Sequence, residues 1–188
     1  LDQYWFPTNG VSQQLSLDIA IPGSDLTYYK ISYNYRMFSP INDNLILSMA
    51  TELAYNDAYG GTSDVPFFSN HYVGGMSTLR GFSHNSVGPQ DSNGNPLGGT
   101  TLTAGRLELV FPFPGLQDNE SVRTLAFLDV ANTFAQGKLD VRDLRASSGL
   151  SLAWLTPVGP LTLVLARPVR KQTGDITEQV HIALGNAY

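Results

Sequence analysis

The feature of this sequence that most constrains its fold is a regular alternation of apolar and polar side chains. In the stretch Val11–Ile21, most odd-numbered positions carry valine, leucine or isoleucine, and most even-numbered positions carry serine, glutamine or aspartate. A period of two residues is that of a β-strand, in which successive side chains point to opposite faces. The pattern therefore predicts a strand with one apolar face and one polar face.

The same alternation recurs in eight stretches of about 9 to 13 residues, which are Val11–Ile21, Leu26–Phe38, Leu45–Asn56, Ala104–Phe113, Val122–Phe134, Leu144–Leu155, Leu161–Val169 and Ile176–Tyr188. A tilted strand needs about this length to cross the hydrocarbon layer of a membrane. Lys30, Arg36, Arg106, Arg123 and Arg145 all fall on the polar phase. An Arg or Lys on a lipid-facing surface costs roughly 2–4 kcal/mol at the bilayer midplane. We therefore predict an all-β fold, an antiparallel transmembrane β-barrel of eight strands with lipid outside and a polar lumen.

The competing fold is a soluble antiparallel sandwich with an apolar core between two sheets. Its strands would be shorter, and its outward face would carry more lysine and glutamate. Charged residues make up only 14% of the 188 residues, whereas a soluble domain usually has about 25%. The low share of charged residues therefore favours a transmembrane β-barrel over a soluble sandwich.

Other features of the composition narrow the class of protein further. No run approaches the ~20 apolar residues that a spanning helix requires. The absence of cysteine fits an oxidising or envelope compartment, and the net charge of −5 argues against nucleic acid as a partner. The chain opens at Leu1 without a leader pattern, so we expect a mature or cut fragment of an exported protein.

The connections between the predicted strands give an orientation. One connection, from about residue 57 to 103, is long, and the other six are short. Bacterial barrels have short periplasmic turns and longer extracellular loops. Counting back from a periplasmic C-terminus also places the long connection outside the cell, so we predict a long extracellular loop.

The long loop contains the segment Val73–Phe82, with the sequence VGGMSTLRGF. Its glycine pair, followed by Arg-Gly-Phe, resembles the characteristic loop of the BamA family of outer-membrane assembly barrels; the matching residues are Gly74, Gly75, Arg80, Gly81 and Phe82. Other passages agree with the family in order and spacing, namely Tyr4–Pro7, Asn9-Gly10, Ile21–Asp25, Tyr28–Lys30, Leu107-Glu108, Ser121–Thr124, Asp129, Trp154, Pro157–Leu161 and Tyr188. The chain is thus similar to the family over almost its whole length. It departs from longer members at Gly88–Gly99, where some relatives carry a large insertion.

The resemblance implies that residues 1–188 are the C-terminal part of an outer-membrane barrel domain, the last eight of sixteen strands, without the soluble POTRA repeats. It implies a role in folding and inserting outer-membrane proteins, without an external energy source, in the outer membrane of a Gram-negative bacterium. The implied partners are the lipid bilayer, unfolded outer-membrane protein clients and, in the full protein, the lipoproteins of the assembly machine. The alternatives from the same superfamily are a two-partner-secretion export pore and the barrel anchor of an outer-membrane lipase, which the soluble domains of the full protein would distinguish.

Arg80 stands in a nearly uncharged loop, and Glu108 and Asp129 lie on the lumen phase of the next two predicted strands. A loop folded back into the lumen could bring the three together, and the resemblance implies this contact. Arginine suits it because its planar guanidinium serves two acceptors at once. The alternative is that Arg80 is a solvated loop residue and the two acids keep the lumen wet.

The C-terminal strand is the second candidate site. In barrels of this family the last strand pairs weakly with the first, and an unpaired strand edge can template a new strand. Val180, Ile182 and Leu184 would form its lipid-facing side, Gly185 would allow it to bend, and Tyr188 matches the terminal aromatic residue that assembly recognises. The alternatives are that Gly185 makes room for a neighbour in the lumen and that Tyr188 is an ordinary interfacial aromatic.

Signs of enzymatic chemistry are absent from the sequence. His71, His84 and His181 lack metal-ligand spacing, and no nucleophile elbow or phosphate-binding loop occurs. Glu108 and Asp129 could be a hydrolytic carboxylate pair, but two acids facing an arginine favour an ion network. We expect no catalytic residue, no metal and no cofactor.

The sequence leaves the closure of the fragment open. A closed eight-stranded barrel has a lumen just wide enough for side chains, so a loop of this length would not fit inside. The fragment must close with the loop outside, form a homodimer, or leave two edges open.

Overall fold

The computed structural model describes residues 1–3, 6–21, 23–115 and 121–185, and these form one antiparallel sheet of eight strands in sequence order. The strands are β1 (Gly10–Ile19), β2 (Tyr28–Asn42), β3 (Leu45–Ala58), β4 (Thr101–Pro112), β5 (Val122–Phe134), β6 (Arg145–Thr156), β7 (Gly159–Arg170) and β8 (Val180–Leu184). Two 3-10 helices, Phe67–Ser69 and Val141–Asp143, have three residues each. Within the described ranges, no helix is both long and apolar enough to cross a membrane. The predicted all-β fold with eight antiparallel strands is confirmed.

Most strand boundaries lie within a few residues of the prediction, but the predicted start of β8 at Ile176 is wrong. The Gln179 carbonyl still accepts from the Ala166 N–H of β7 at 2.8 Å, but the backbone before it, from Ile176 to Glu178, bonds to the long loop. The Ser83 N–H donates to the Ile176 carbonyl at 3.0 Å, and the Glu178 N–H donates to the Gly81 carbonyl at 3.1 Å. The residues from Ile176 to Glu178 therefore alternate as a strand does, but their backbone groups form hydrogen bonds with the long loop and not with β7. Tyr188, together with Tyr4, Trp5 and Pro22 from the matching passages, lies outside the described residues.

The two phases of the alternation lie on the predicted faces of the sheet. In β4 to β8 the polar phase is covered, with the buried residues Glu108, Asp129, Arg145, Ser147, Ser151 and His181. The apolar phase is exposed, and Leu150, Leu165 and Ile182 each retain more than half of their accessible surface. A sheet with its leucines outward and its charges inward is the reverse of a soluble sandwich.

The long loop covers the polar face. Four of its side chains, Val73, Leu79, Phe82 and Val87, are at most 1% exposed and pack against wall residues Ala54, Leu102, Ala104 and Ala131. Burying an apolar side chain of this size contributes roughly 1.5–3 kcal/mol. The loop is therefore a packed part of the fold, even though most of its residues lie outside strands and helices.

The sheet accommodates this loop because it is open. Among the described residues, β1 pairs with β2 alone and β8 with β7 alone. Within the described ranges the sheet therefore does not close on itself, and each edge strand has a partner on one side only. An open sheet leaves room on its inner face for about forty residues of loop, which a closed eight-stranded barrel would not.

Candidate functional site

The loop motif is folded by its glycines into a tight reversal. Gly74, Gly75 and Gly81 have φ values of +125°, +83° and +89°, a region that side chains other than glycine rarely adopt. The Gly75 N–H donates to the Phe82 carbonyl at 2.9 Å, and the Leu79 N–H donates to the Gly75 carbonyl at 3.1 Å. The Gly74 N–H donates to Thr78 Oγ1 at 2.9 Å. These bonds close the motif on itself and direct Arg80 towards the wall.

Arg80 lies between the two carboxylates on β4 and β5. Its Nε and Nη2 donate to Asp129 Oδ2 and Oδ1 at 2.7 and 2.6 Å, and its backbone N–H donates to Asp129 Oδ2 at 3.1 Å. The third guanidinium nitrogen, Nη1, lies 2.8 Å from Glu108 Oε1. The guanidinium also stacks over the Phe127 ring, 3.6 Å from its centroid. Arg80 is 4% exposed, so the structure does not place it in solvent, which was the alternative.

A second arginine balances the charge of this cluster. Arg106 Nε lies 3.5 Å from Asp129 Oδ1, and Arg106 Nη2 donates to the carbonyls of Met76 and Ser77 at 2.9 and 3.1 Å. Two cations thus face two anions, and Arg106 also holds the backbone of the motif. Burial alone would lower the pKa of Arg80, but the hydrogen bonds that it donates to Asp129 and the charges of Asp129 and Glu108 raise it above its ordinary value.

This arrangement holds a loop in position and has little to offer a chemical reaction. Asp129 and Glu108 are 0% and 2% exposed, and both carboxylates are directed at the Arg80 guanidinium. A buried ion pair contributes less to net stability than its Coulomb energy suggests, because both charges lose their water. The main effect of these ion pairs is to fix the position of the loop, because the buried charges and hydrogen-bonding groups all have partners when the loop lies in this place. We call Arg80, Arg106, Glu108 and Asp129 the anchor cluster.

The two residues after Arg80 join the loop to the last strand. Phe82 is fully buried and forms a bridge with Thr177. A Cβ on Gly81 would meet Ala166 Cβ and Ser147 Cβ at 3.2 and 3.3 Å, so the loop approaches β6 and β7 closely here. The Gly81 N–H donates to His181 Nε2 at 3.0 Å, which connects the motif directly to β8.

Sequence reasoning missed two of these inner-face contacts. The alternation puts His181 on the inward phase of the last strand, and its spacing excludes a metal ligand, but neither observation predicted a contact with the loop. Sequence reasoning also left Arg145 without a partner, whereas the structure pairs Arg145 Nη2 with Asp175 Oδ1 at 3.0 Å and Arg145 Nη1 with Asn132 Oδ1 at 2.9 Å. Both partners of Arg145 lie far from it in the sequence or on the neighbouring strand, so no local pattern indicated them.

Replacing His181 with alanine is expected to loosen the loop locally, because the Gly81 N–H then has no acceptor. An unsatisfied buried donor costs about 1–3 kcal/mol. We expect faster amide hydrogen exchange over residues 80–83 in the full-length protein. The variant His181→Gln, which keeps an acceptor, should restore part of the protection, and His84→Ala, at an exposed histidine of the same loop, is the matched control. Unchanged exchange in His181→Ala would contradict the coupling.

The outward residues of β8 lie at an open edge. Val180, Ile182 and Leu184 are 55%, 67% and 63% exposed, and β8 pairs with β7 over five residues only. Gly185 has a φ of +94°, and a Cβ built on it would have no atom within 4 Å. Its backbone conformation, rather than a crowded lumen, therefore accounts for glycine at this position.

Comparison with known proteins places this geometry in a family context. A family model described as the Omp85 superfamily domain matches residues 1–188. The outer membrane protein assembly factor BamA of Neisseria meningitidis serogroup B is 30% identical over the whole chain, which covers 27% of that relative. The human sorting and assembly machinery component 50 homolog is also 30% identical, over 90% of this chain and 39% of the relative.

A solved structure agrees with the fold as well. The crystal structure of BamA from Haemophilus ducreyi lacking POTRA domains 1–3 matches with a TM-score of 0.89 and 32% identity, over 97% of this chain and 39% of that chain. The present chain thus spans between about a quarter and two fifths of the length of these relatives.

Proposed function

The chain belongs to the Omp85 superfamily, and from this premise we propose that it is the C-terminal part of the barrel of an outer-membrane protein assembly factor. The relatives at about 30% identity are named as assembly factors or components of an assembly machinery, which supports assembly over an export pore or a lipase anchor. The location proposed with this function is the outer membrane of a Gram-negative bacterium. The partners proposed are the lipid bilayer, unfolded outer-membrane clients and, in the full protein, lipoproteins of the machine.

The observation that carries the mechanism is the anchor cluster and its connection to the last strand. Arg80 fixes the loop on β4 and β5, and the next three residues hold Ile176, Glu178 and His181. The loop therefore keeps the start of the last strand away from β7, and β8 remains short. A short edge strand pairs weakly and leaves donors and acceptors free for an incoming strand.

The proposed mechanism is non-enzymatic. A client strand adds to the free edge by β-augmentation, in which backbone hydrogen bonds supply the affinity. The side chains of Val180, Ile182 and Leu184 are exposed and apolar. In this mechanism they contact the acyl chains, so the free edge lies within the hydrocarbon layer. Folding then follows from burial of the apolar surface of the client in the bilayer, so the step needs no cofactor. In the isolated fragment, the same free edges offer a route to a homodimer.

The test is reconstitution of the full-length protein in liposomes with an unfolded outer-membrane client. We expect the client to fold faster than in empty liposomes, and a disulfide joining β8 to the first strand of the full barrel to abolish this gain. Reduction of the disulfide should restore the rate. A client that folds at the same rate with and without the protein would contradict the proposed function, as would a disulfide-locked protein with full activity.

A further inference from the structure

The outward face of the sheet carries positive charge at the outer end of β7. Along this strand the outward positions are Leu161, Leu163 and Leu165, and the next outward position is Arg167, which is exposed. The antiparallel strand order places this end of β7 at the same end of the sheet as the ends of β3 and β4 that the long loop connects. On a lipid-facing surface, arginine is costly at the bilayer midplane and nearly neutral at the interface. Arg167 therefore marks the outer boundary of the hydrocarbon layer.

A β-bulge brings a second arginine to the same face. Ser147 lies opposite Pro168, but Ala146 lies opposite Arg170, so β7 contains one extra residue at this point. Residues directly opposite each other share a face of the sheet, and Ala146 is on the outward phase of β6. Bulges commonly redirect a side chain in this way. Without the bulge, Arg170 would point inward.

Two further cations adjoin this pair. Arg170 Nη2 donates to the Arg142 carbonyl at 2.5 Å, which brings the 3-10 helix Val141–Asp143 against the end of β7, and Lys171 follows Arg170. We call Arg142, Arg167, Arg170 and Lys171 the outer basic cluster, and all four residues are exposed.

The carboxylates near the cluster already have partners. Asp175 is paired with Arg145, and its side chain is 2% exposed. Asp143 Oδ1 accepts from Gln172 Nε2 at 2.8 Å, and Asp140 Oδ1 accepts from the Arg142 N–H at 2.8 Å. The side chain of Arg167 has no hydrogen bond or ion pair within the described ranges. Because the donors to Asp143 and Asp140 are neutral, these two carboxylates keep their charge, but the four cations of the outer basic cluster outnumber them and leave an excess of positive charge for an external anion.

An apolar hollow lies directly beside Arg167. It is lined by Gly149, Leu150, Leu165 and Val180 as well as Arg167 itself. It exists because β8 begins at Val180, opposite Leu165, and beyond the hydrogen bond from the Ala166 N–H to the Gln179 carbonyl no strand lies against that side of β7 within the described ranges. A cationic rim above an apolar hollow matches the shape and polarity of a lipid, with a charged headgroup above an acyl chain.

We propose that the outer basic cluster binds the phosphorylated headgroup of a lipid in the outer leaflet, with an acyl chain of that lipid in the hollow. The proposal rests on the proposed function, because it requires the sheet to span the outer membrane with the long loop outside. Arginine is suited to phosphate because its planar guanidinium donates two parallel hydrogen bonds. A bound lipid at this position lies beside the short last strand, where the client is proposed to enter.

The experiment uses the full-length protein in nanodiscs of phosphatidylcholine that contain a small fraction of lipid A. Lipid retained on the protein after mild extraction is counted by native mass spectrometry. We expect retention of lipid A, and we expect its affinity to fall about fivefold for each arginine removed in Arg167→Gln and Arg170→Gln, the usual contribution of one cation at an anionic surface. The matched control is Lys138→Gln, which removes an exposed cation from the same β5–β6 connection as Arg142 but leaves the four residues of the cluster in place.

Two comparisons identify the chemistry. Dephosphorylated lipid A should be retained no better than phosphatidylcholine, and millimolar inorganic phosphate should fail to displace lipid A. Equal retention of both forms of lipid A, equal loss in Lys138→Gln, or complete displacement by inorganic phosphate would each overturn the proposal. Client folding is measured in the same particles. If the protein accelerates client folding but retains no lipid A, the lipid site alone is refuted. If it does not accelerate client folding, the proposed function is refuted.

Discussion

Replacing Arg80 with alanine in the full-length protein is expected to release the loop from the inner face of the sheet and to remove most of the assembly activity. The substitution leaves Glu108 and Asp129 buried with only Arg106 to balance them. Breaking a buried pair by removing one partner typically costs about 3–5 kcal/mol. Amide exchange over residues 73–87 should then accelerate by about 100-fold or more, since local opening sets the exchange rate of protected amides.

Three further variants separate charge from geometry. Arg80→Lys keeps the charge but not the fork of donors, so it should have an intermediate effect. Arg80→Ala combined with Asp129→Asn leaves Arg106 opposite Glu108, and it should recover part of the loop protection because no net charge remains buried. Lys138→Ala, at an exposed position, controls for the loss of a cation. If the Arg80→Ala protein retained both native exchange and native client folding, the anchor cluster would have no role.

Replacing Gly74 with alanine is expected to disrupt the loop motif as severely as the loss of Arg80. A Cβ at this position would lie 2.2 Å from the Ser83 carbonyl oxygen, and the φ of +125° is already unfavourable for alanine. Strain in such a conformation and displacement of packed backbone together cost about 2–5 kcal/mol. The expected results are faster exchange over residues 73–87 and a lower rate of client folding.

Gly94→Ala provides the matched control for this variant. Gly94 also has a positive φ, +82°, but a Cβ there has no atom within 4 Å. It therefore carries the conformational cost without the collision, and we expect a loss of about 1 kcal/mol confined to its own turn. Equal effects of the two substitutions would mean that backbone conformation alone, and not the contact with Ser83, determines the fold of the motif.

The faces of the strands could be predicted from the sequence because they depend on local alternation. Asp129 and Leu150 belong to opposite phases, and the structure buries the first and exposes the second. The placement of Arg80 beside Glu108 and Asp129 was also expected, although by resemblance to the family and not by periodicity. The start of β8 was predicted wrongly because the residues from Ile176 alternate in the same way whether they pair with β7 or with the loop.

Two other features could not be derived from local pattern at all. His181 receives its hydrogen bond from a residue one hundred positions earlier in the chain. Arg170 reaches the outward face only because one residue is bulged out of the pairing between β6 and β7. Each depends on which backbone groups meet in space, and a period-two pattern contains no information about that.

The sequence by itself thus determined that this chain forms a wall of strands with lipid-facing leucines and inward charges, because the energetic cost of charge in lipid applies to every residue separately. Only the tertiary structure decided where the loop lies, how long the last strand is, and which side of the wall carries the outer basic cluster. The length of the last strand depends on whether its backbone groups bond to the loop or to β7. The position of the loop depends on the one placement in which each buried charge of the anchor cluster lies beside an opposite charge.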